Sequence, residues 1–142
     1  MKKQTSSILS IILFGMFLLG VTSGLLAQNA PTTKESKFLI VVETTNDSVK
    51  LTCKEGCAWK ELSFSLELNY LQGIDQNGMA SWISGKAREN GNLSRFLFTI
   101  TKTKDGLSFK GLEGTVWKDL SFSCSKNKCH QPINQNGMTT LY

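Results

Sequence analysis

Apolar and polar residues alternate along much of the chain after residue 36, with the period of two that half-buried β-strands show. Residues 38–45 are rich in Val, Ile and Thr, and residues 49–53 and 58–66 alternate cleanly, so each segment is predicted to be a strand. No segment in this region shows a convincing helical period. Further strands are predicted over residues 79–84, 95–103, 107–110, 115–123 and 138–142.

Turn-forming residues between these segments predict hairpins. The Asn77-Gly78 pair supports positive φ at low cost. Pro132 is expected in a loop, because proline cannot donate a hydrogen bond to a sheet. Trp59 lies at an odd spacing from Leu62, and we expect a bulge near Lys60 that brings both side chains to one face.

One segment of the sequence occurs twice. Residues 59–65 (WKELSFS) return as residues 117–123 (WKDLSFS). The match extends on both sides: residues 36–66 and 94–124 share 13 identities in 31 positions, and residues 72–79 and 131–138 share 6 in 8. Self-similarity of this kind predicts two related structural units.

The predicted fold is therefore all-β and antiparallel, with about four strands in each of two similar units. Repeat 1 covers residues 36–84, a linker covers 85–93, and repeat 2 covers 94–142. We expect one sandwich or barrel with pseudo-twofold symmetry, with two tandem small sheets as the alternative. The two Trp-Lys-x-Leu-Ser-Phe strands carry the bulkiest apolar residues and are expected at equivalent central positions.

The amino terminus has the layout of a secretory signal peptide. Lys2 and Lys3 precede a mostly apolar stretch over residues 8–26, and Ala27 supplies a small residue for cleavage. The predicted signal peptide is residues 1–27, with Ala30 as the second choice of cleavage site, followed by a flexible lead-in over 28–35. An uncleaved membrane anchor is the alternative, because the apolar stretch approaches the length of a bilayer span. A periplasmic or secreted protein is expected.

Removal of this leader lowers the formal net charge from +5 to +3. The remaining basic residues are interspersed with acidic ones and form no stripe, so a nucleic-acid partner is not expected. Membrane attachment is not expected either once the signal peptide has been cleaved. The expected partner is an unknown protein or glycan.

Four cysteines in an exported chain predict two disulfides. Each of the pairs Cys53/Cys57 and Cys124/Cys129 is present in one repeat only, which favours the local bridges Cys53–Cys57 and Cys124–Cys129. A bridge between residues so close in sequence would close a short loop at the end of a hairpin.

The alternative is a redox or c-type haem centre formed by Cys124, Cys129 and His130, the only histidine in the sequence. Covalent haem sites read C-x-x-C-H, and this sequence would be a stretched variant. A zinc site formed by cysteines and His130 is a further alternative. The preferred interpretation has no cofactor or metal. The sequence contains no phosphate-binding glycine loop, H-E-x-x-H or G-x-S-x-G motif, so a non-enzyme is expected.

The three tryptophans are the candidate contact residues. Trp59 and Trp117 are equivalent and are expected to anchor the core, with a bivalent platform for sugar or peptide as the alternative. Trp82 has no counterpart in the internal alignment, which makes it the better candidate for an exposed contact.

The run LTCKEGCAWKELSF (51–64), followed by IDQNGM (74–79), resembles a motif in short, uncharacterised exported proteins of Bacteroidota. This resemblance implies export and small size, and it carries no function. Repeat 2 departs from the motif because it lacks the Cys-x3-Cys element. Asp47-Ser48-Val49 also resembles an acceptor pattern for O-glycosylation in such bacteria, with an ordinary hairpin turn as the alternative.

The preferred function is an exported, non-catalytic β protein that acts as a binding or structural module. The runner-up is the redox or haem protein described above. The third is a small secreted inhibitor that presents a disulfide-closed loop at residues 54–56 or 125–128.

The leader and the disulfides predict one mass measurement. The exported protein should begin at Gln28, and its four thiols should react with a labelling reagent only after reduction. Intact mass spectrometry before and after reduction measures both. A mass that includes haem, or thiols that react without reduction, would contradict this expectation.

Overall fold

The structure, a computed structural model, describes residues 36–45, 47–125 and 128–142; the predicted signal peptide (1–27) and lead-in (28–35) lie outside these ranges. Within them the chain forms strands and no helix, and so contains no helix long and apolar enough to span a membrane. The strands are β1 (Leu39–Thr44), β2 (Ser48–Glu55), β3 (Glu61–Ser65), β4 (Leu71–Asp75), β5 (Gly78–Ala80), β6 (Leu97–Lys102), β7 (Gly106–Glu113), β8 (Asp119–Ser123), β9 (Cys129–Asn134) and β10 (Gly137–Met138).

These strands form two antiparallel five-stranded sheets. Sheet A has the order β10-β9-β1-β2-β3, and sheet B has the order β5-β4-β6-β7-β8. Each repeat contributes to both sheets, because the β4–β5 hairpin of repeat 1 pairs with β6 of repeat 2, and the β9–β10 hairpin of repeat 2 pairs with β1 of repeat 1. The repeats thus exchange hairpins, and neither sheet is built by one repeat alone. The predicted all-β, antiparallel fold is confirmed: of the sandwich or barrel that was expected, the two sheets that pack together form a sandwich.

Equivalent strands pair in the same register. Leu39 of β1 lies opposite Asn134 of β9, and its equivalent Leu97 of β6 lies opposite Asp75 of β4. The pairing of β1 with β2 is irregular just after Leu39, and the pairing of β6 with β7 is irregular just after Leu97. An approximate twofold axis therefore relates the two halves of the sandwich.

Phe38 and Phe96 are equivalent residues that pack against each other. Their ring centroids are 4.4 Å apart, and both side chains are buried. Beside them, the Ser36 hydroxyl donates to the Arg95 carbonyl, and the Lys37 N–H donates to Ser94 Oγ at 3.1 Å. The approximate axis passes between these pairs. Around them a single core joins both sheets; its buried members are Phe38, Ile40, Val42, Val49, Leu51, Leu66, Ile74, Phe96, Phe98, Ile100, Leu107, Phe109, Trp117 and Ile133.

Each repeat crosses from one sheet to the other, and a tryptophan joins the two sides of the crossing. Trp59 Nε1 donates to the Asp75 carbonyl at 3.0 Å, and Trp117 Nε1 donates to the Asn134 carbonyl at 2.9 Å. Beside these bonds, the Ala58 N–H donates to the Gln76 carbonyl and the Val116 N–H donates to the Gln135 carbonyl, each at 2.8 Å. A buried indole N–H needs such a partner, and here the partner is the end of a strand in the opposite sheet.

The expected position of the Trp-Lys-x-Leu-Ser-Phe segments in the sheets is wrong, since β3 and β8 are edge strands. Their alternating serines suit an edge, because only Leu and Phe on the other face reach the core. The central strands are β1 and β6, in which consecutive residues are buried, so that both faces of the sheet are covered there.

The number of strands is also higher than expected, because each repeat contributes five strands. The additional strands are β4 and β9, and β9 contains Pro132, which was expected in a loop. The Pro132 carbonyl accepts from Thr139 N–H at 3.0 Å, on the β10 side. A strand residue presents its N–H and C=O to the same neighbour, so the missing N–H faces the short edge strand and leaves the pairing with β1 intact.

Three local expectations change in detail. Trp59 packs against the core together with Leu62, as expected, but it does so from a bend before β3 and not from a bulged strand. The predicted strands 79–84 and 138–142 are much shorter, since β5 ends at Ala80 and β10 ends at Met138.

Gly56 provides a test of how the chain enters the bend before Trp59. It has φ +85°, and a Cβ added there would collide with the carbonyl of Lys37, which lies just before β1. Gly85 has φ +66° with open space around it, so it is a matched control. We expect Gly85→Ala to cost about 1 kcal/mol from backbone strain alone, and Gly56→Ala about 3 kcal/mol because overpacking adds to the strain. Denaturant unfolding measures both, and equal losses would contradict the packing described here.

Candidate functional site

Residues 81–93 contain no strand, and the predicted linker, residues 85–93, lies within this segment. It lies against the outer face of sheet B. Ile74 points into the core, so its neighbours Gly73 and Asp75 point outward. The Trp82 Cβ lies next to Gly73, and Arg88 binds Asp75. We call residues 81–93 the connector.

Asp75 and Arg88 form the main attachment of the connector. Arg88 Nε donates to Asp75 Oδ2 at 2.7 Å, and Arg88 Nη2 donates to Asp75 Oδ1 at 2.8 Å, which is a bidentate pair. The Asn77 N–H also donates to Oδ1, at 2.7 Å. The Asp75 side chain is 0 % exposed, whereas Arg88 is about half exposed. A buried carboxylate thus has its charge balanced from the solvent side.

The pair changes the acidity of both groups. Burial of Asp75 opposes ionisation, but hydrogen bonds from the Arg88 side chain and from the Asn77 and Arg88 N–H groups, together with the Arg88 charge, outweigh it. The pKa of Asp75 therefore lies below its ordinary value of 3.8. The hydrogen bond to Asp75 raises the pKa of Arg88. The equivalent position in repeat 2 is Asn134. Its Oδ1 accepts from the Asn136 N–H at 2.8 Å, as Asp75 Oδ1 accepts from the Asn77 N–H.

Further along the connector, Ala87 is buried and its N–H donates to Glu113 Oε2 at 2.6 Å. Arg95 Nη2 donates to the Ala87 carbonyl at 3.2 Å, and Arg95 also pairs with Glu113. These contacts fix the second half of the connector to the β6 and β7 ends of sheet B. The connector is therefore attached at two places.

Before these attachments, residues 81–86 form a tight turn that we call the Trp82 loop. The Gly85 N–H donates to the Trp82 carbonyl at 3.1 Å, and Gly85 has positive φ. The Trp82 side chain is 40 % exposed and the Ile83 side chain 84 % exposed. Two large apolar side chains thus face solvent on a turn whose two ends are held by β5 and by Arg88.

A groove of about 800 Å³ lies beside the second half of the connector. It is lined by connector residues and by the loop after β7, including Glu89, Arg95, Glu113 and Val116. Most of its polar groups already bond within the protein, since Arg95 pairs with both Glu89 and Glu113.

The structure places the other two tryptophans in or against the core. Trp117 is 9 % exposed, and Trp59 is half-buried; both indole N–H groups are bonded to carbonyls. They lie in equivalent places at the two crossings between sheets. Their rings therefore act in packing, and of the three sequence candidates Trp82 presents the most exposed ring.

Both predicted cysteine pairs are bonded. The Cα atoms of Cys53 and Cys57 are 6.2 Å apart, and those of Cys124 and Cys129 are 4.9 Å apart. The first bridge closes the loop that leads to Trp59. The second closes the short loop that joins the end of β8 in sheet B to the start of β9 in sheet A, and within that loop Ser125 and Lys128 form an isolated antiparallel bridge.

His130 lies beside the second disulfide and makes a separate contact. Its Nδ1 is 3.2 Å from Glu43 Oε1, and its side chain is 60 % exposed. Covalent haem attachment would require the sulfurs of Cys124 and Cys129 to be free of the disulfide in which they lie here. Among the described residues, no group of three or more His, Cys, Asp or Glu side chains is placed to hold a metal ion.

The two loops considered for an inhibitor differ in what can be said of them. Lys54 and Glu55 are exposed within the Cys53–Cys57 loop. The loop at 125–128 falls partly outside the described residues. Neither loop has an exposed large apolar side chain in the described part, unlike the Trp82 loop.

Comparison with known proteins identifies no relative: no family model, no curated protein and no solved structure matches this chain.

Sequence reasoning missed the Asp75–Arg88 pair. The available signal was the difference between the repeats, because the otherwise similar QGIDQNGM and QPINQNGM runs differ in charge at one position only, Asp75 against Asn134. In the structure this unmatched acidic residue is buried, and a buried carboxylate needs a partner, which is Arg88 of the connector.

This pair predicts a defined pH dependence. Because the folded-state pKa of Asp75 is lowered, its stabilising contribution is present above the ordinary pKa of 3.8 and is lost as pH falls through the lower folded value. Asp75→Asn reproduces the arrangement at Asn134 and should lower the free energy of unfolding by about 2 kcal/mol at neutral pH. The difference between wild type and variant should shrink in acid. Asp47→Asn, in an exposed turn, is the control, and a difference that stays constant with pH would contradict the assignment.

Proposed function

We propose that this protein is an exported, non-catalytic binding module that contacts a protein or glycan partner through the Trp82 loop. The observation that carries the proposal is the exposure of Trp82 and Ile83 on a turn that the Asp75–Arg88 pair fixes to sheet B. Both a protein and a glycan can be recognised by an exposed indole, which offers a flat apolar face and one N–H donor.

The rigid attachment of the loop favours binding. A contact residue on an ordered loop loses little conformational freedom when a partner arrives, so more of the contact energy appears as affinity. Trp is also among the residues that most often dominate an interface. Exposure of large apolar side chains costs solubility, and a binding role accounts for their presence on a fixed turn.

Two features support export. The disulfides Cys53–Cys57 and Cys124–Cys129 are compatible with an oxidising compartment, the periplasm or the cell exterior. The sequence before residue 28 has the layout of a signal peptide. Together they support a static, cross-linked scaffold that carries its contact residues outside the cytoplasm.

The test is site-specific photocrosslinking in cells that produce the protein. A photoreactive residue placed at Ile83 should form an adduct, whose mass distinguishes a protein from a glycan. Trp82→Ala in the same chain should lower the adduct yield about tenfold or more, since an aromatic anchor at the centre of a contact contributes about 2 kcal/mol.

The control probe is placed at Val116, which is 76 % exposed and lies on a different loop. It should give no such adduct. Trp82→Ala should keep the cooperative unfolding transition of wild type, because Trp82 is not a member of the core that joins the two sheets. An adduct of equal yield from Val116, or one that Trp82→Ala leaves unchanged, would contradict a contact through the Trp82 loop.

A further inference from the structure

The outermost strands β3 and β8 carry a second, independent surface. Each pairs on one side only, β3 with β2 and β8 with β7. In the part of the chain that the structure describes, nothing pairs with their other side. The two strands are equivalent under the approximate twofold axis, and one lies in each sheet.

The direction of the backbone groups follows from one hydrogen bond in each repeat. The Lys60 carbonyl accepts from Cys53 N–H, so Lys60 faces β2, and the Lys118 carbonyl accepts from Gly111 N–H in the same way. Strand residues alternate in direction, so the outward N–H and C=O groups belong to Glu61, Ser63 and Ser65 in β3. In β8 the outward groups belong to Asp119, Ser121 and Ser123.

The outward residues of these two edges are alike, although core packing does not require it. Serine occupies both later positions in each strand, and the first position is acidic in each. Neighbouring strands differ at their solvent-facing positions: Lys50 of β2 corresponds to Ser108 of β7, and Thr52 to Lys110. A row that matches in both repeats, at exposed positions, indicates one surface that is used twice.

Each edge has little of the usual protection against pairing. Edges are normally guarded by proline, by a bulge, by charged side chains, lysine above all, or by shortness. Here the one charged residue in each strand is acidic and lies at its first position. Strands β5 and β10 are guarded by shortness, since they have three and two residues. Strands β3 and β8 have five residues each, with serines in the middle and no proline or bulge.

We propose that β3 and β8 are docking edges for a second copy of this chain, which adds its own β3 or β8 in antiparallel orientation. With Ser63 opposite Ser63 of the second copy, the outward groups of both strands meet and form about six hydrogen bonds. Glu61 then lies opposite Ser65, so no like charges oppose each other. A parallel pairing in register would place Glu61 against Glu61 and Lys60 against Lys60, which is unfavourable.

The same pairing is open to β8 of the second copy, because Ser121 and Ser123 repeat the arrangement. Two edges on each chain then give an assembly without a fixed end, in which every added copy leaves one edge exposed. Each contact involves one short strand, so a single contact is weak and assembly depends on concentration. The chemistry is that of strand addition to a sheet edge.

Sedimentation velocity of the protein purified from cells that export it tests this proposal. The mean mass of wild type should rise with concentration and pass beyond the dimer. Ser63→Pro together with Ser121→Pro removes one outward N–H at each edge, and this loss should weaken association at least tenfold. The variant should still fold, because proline at these positions leaves the pairing with β2 and β7 intact. Ser63→Thr with Ser121→Thr keeps both N–H groups and is the matched control, which should assemble like wild type.

Single variants sharpen the result. Ser63→Pro alone leaves β8 open and should stop assembly at the dimer. If the double proline variant loses its cooperative unfolding transition, Ser63→Lys with Ser121→Lys takes its place, since lysine guards an edge without changing the backbone. A wild type that stays monomeric throughout the concentration series overturns the proposal. So does a correctly folded edge variant that assembles as well as wild type.

Discussion

The exchange of hairpins between the repeats is the constraint on which the rest of the structure depends. The β4–β5 hairpin completes the sheet that repeat 2 begins, and the β9–β10 hairpin completes the sheet that repeat 1 begins. The hydrogen bonds from Trp59 to the Asp75 carbonyl and from Trp117 to the Asn134 carbonyl hold each crossing. Because about fifty residues bury little apolar area alone, each repeat needs the other to complete its core.

Equivalent places in the two halves are stabilised by different chemistry. In repeat 1 the disulfide Cys53–Cys57 closes the bend before Trp59. At the equivalent bend of repeat 2, Gly111 leaves room for Thr115, and the Thr115 hydroxyl donates to the Trp117 carbonyl at 2.9 Å. Each short disulfide is expected to contribute about 2 kcal/mol in the chain-entropy model. The connector follows repeat 1, and its attachment through Asp75 gives that repeat a fixed exposed turn.

The alternation of apolar residues was sufficient to predict the all-β class and most strand positions, and the Asn-Gly turns at Gly78 and Gly137 have the positive φ that the sequence indicates. Strand β9 was not predicted, because it contains Pro132 and too few apolar residues to show an alternating pattern. Its pairing with β1 is what makes it a strand. The exchange itself could not be predicted, since hairpins of equal hydrophobicity fit either partner. Exposed residues such as Ile83 have no sequence signal that separates them from core residues.

Cleavage of the connector tests the central claim most directly. A protease site introduced at Gly91, which is exposed and has open space around it, would divide the chain between the repeats. If the halves exchange hairpins, the two fragments should remain together on a sizing column under native conditions and should separate only when the sheets unfold. Two fragments that separate in native buffer while each keeps its β-sheet signal would contradict the exchanged sandwich.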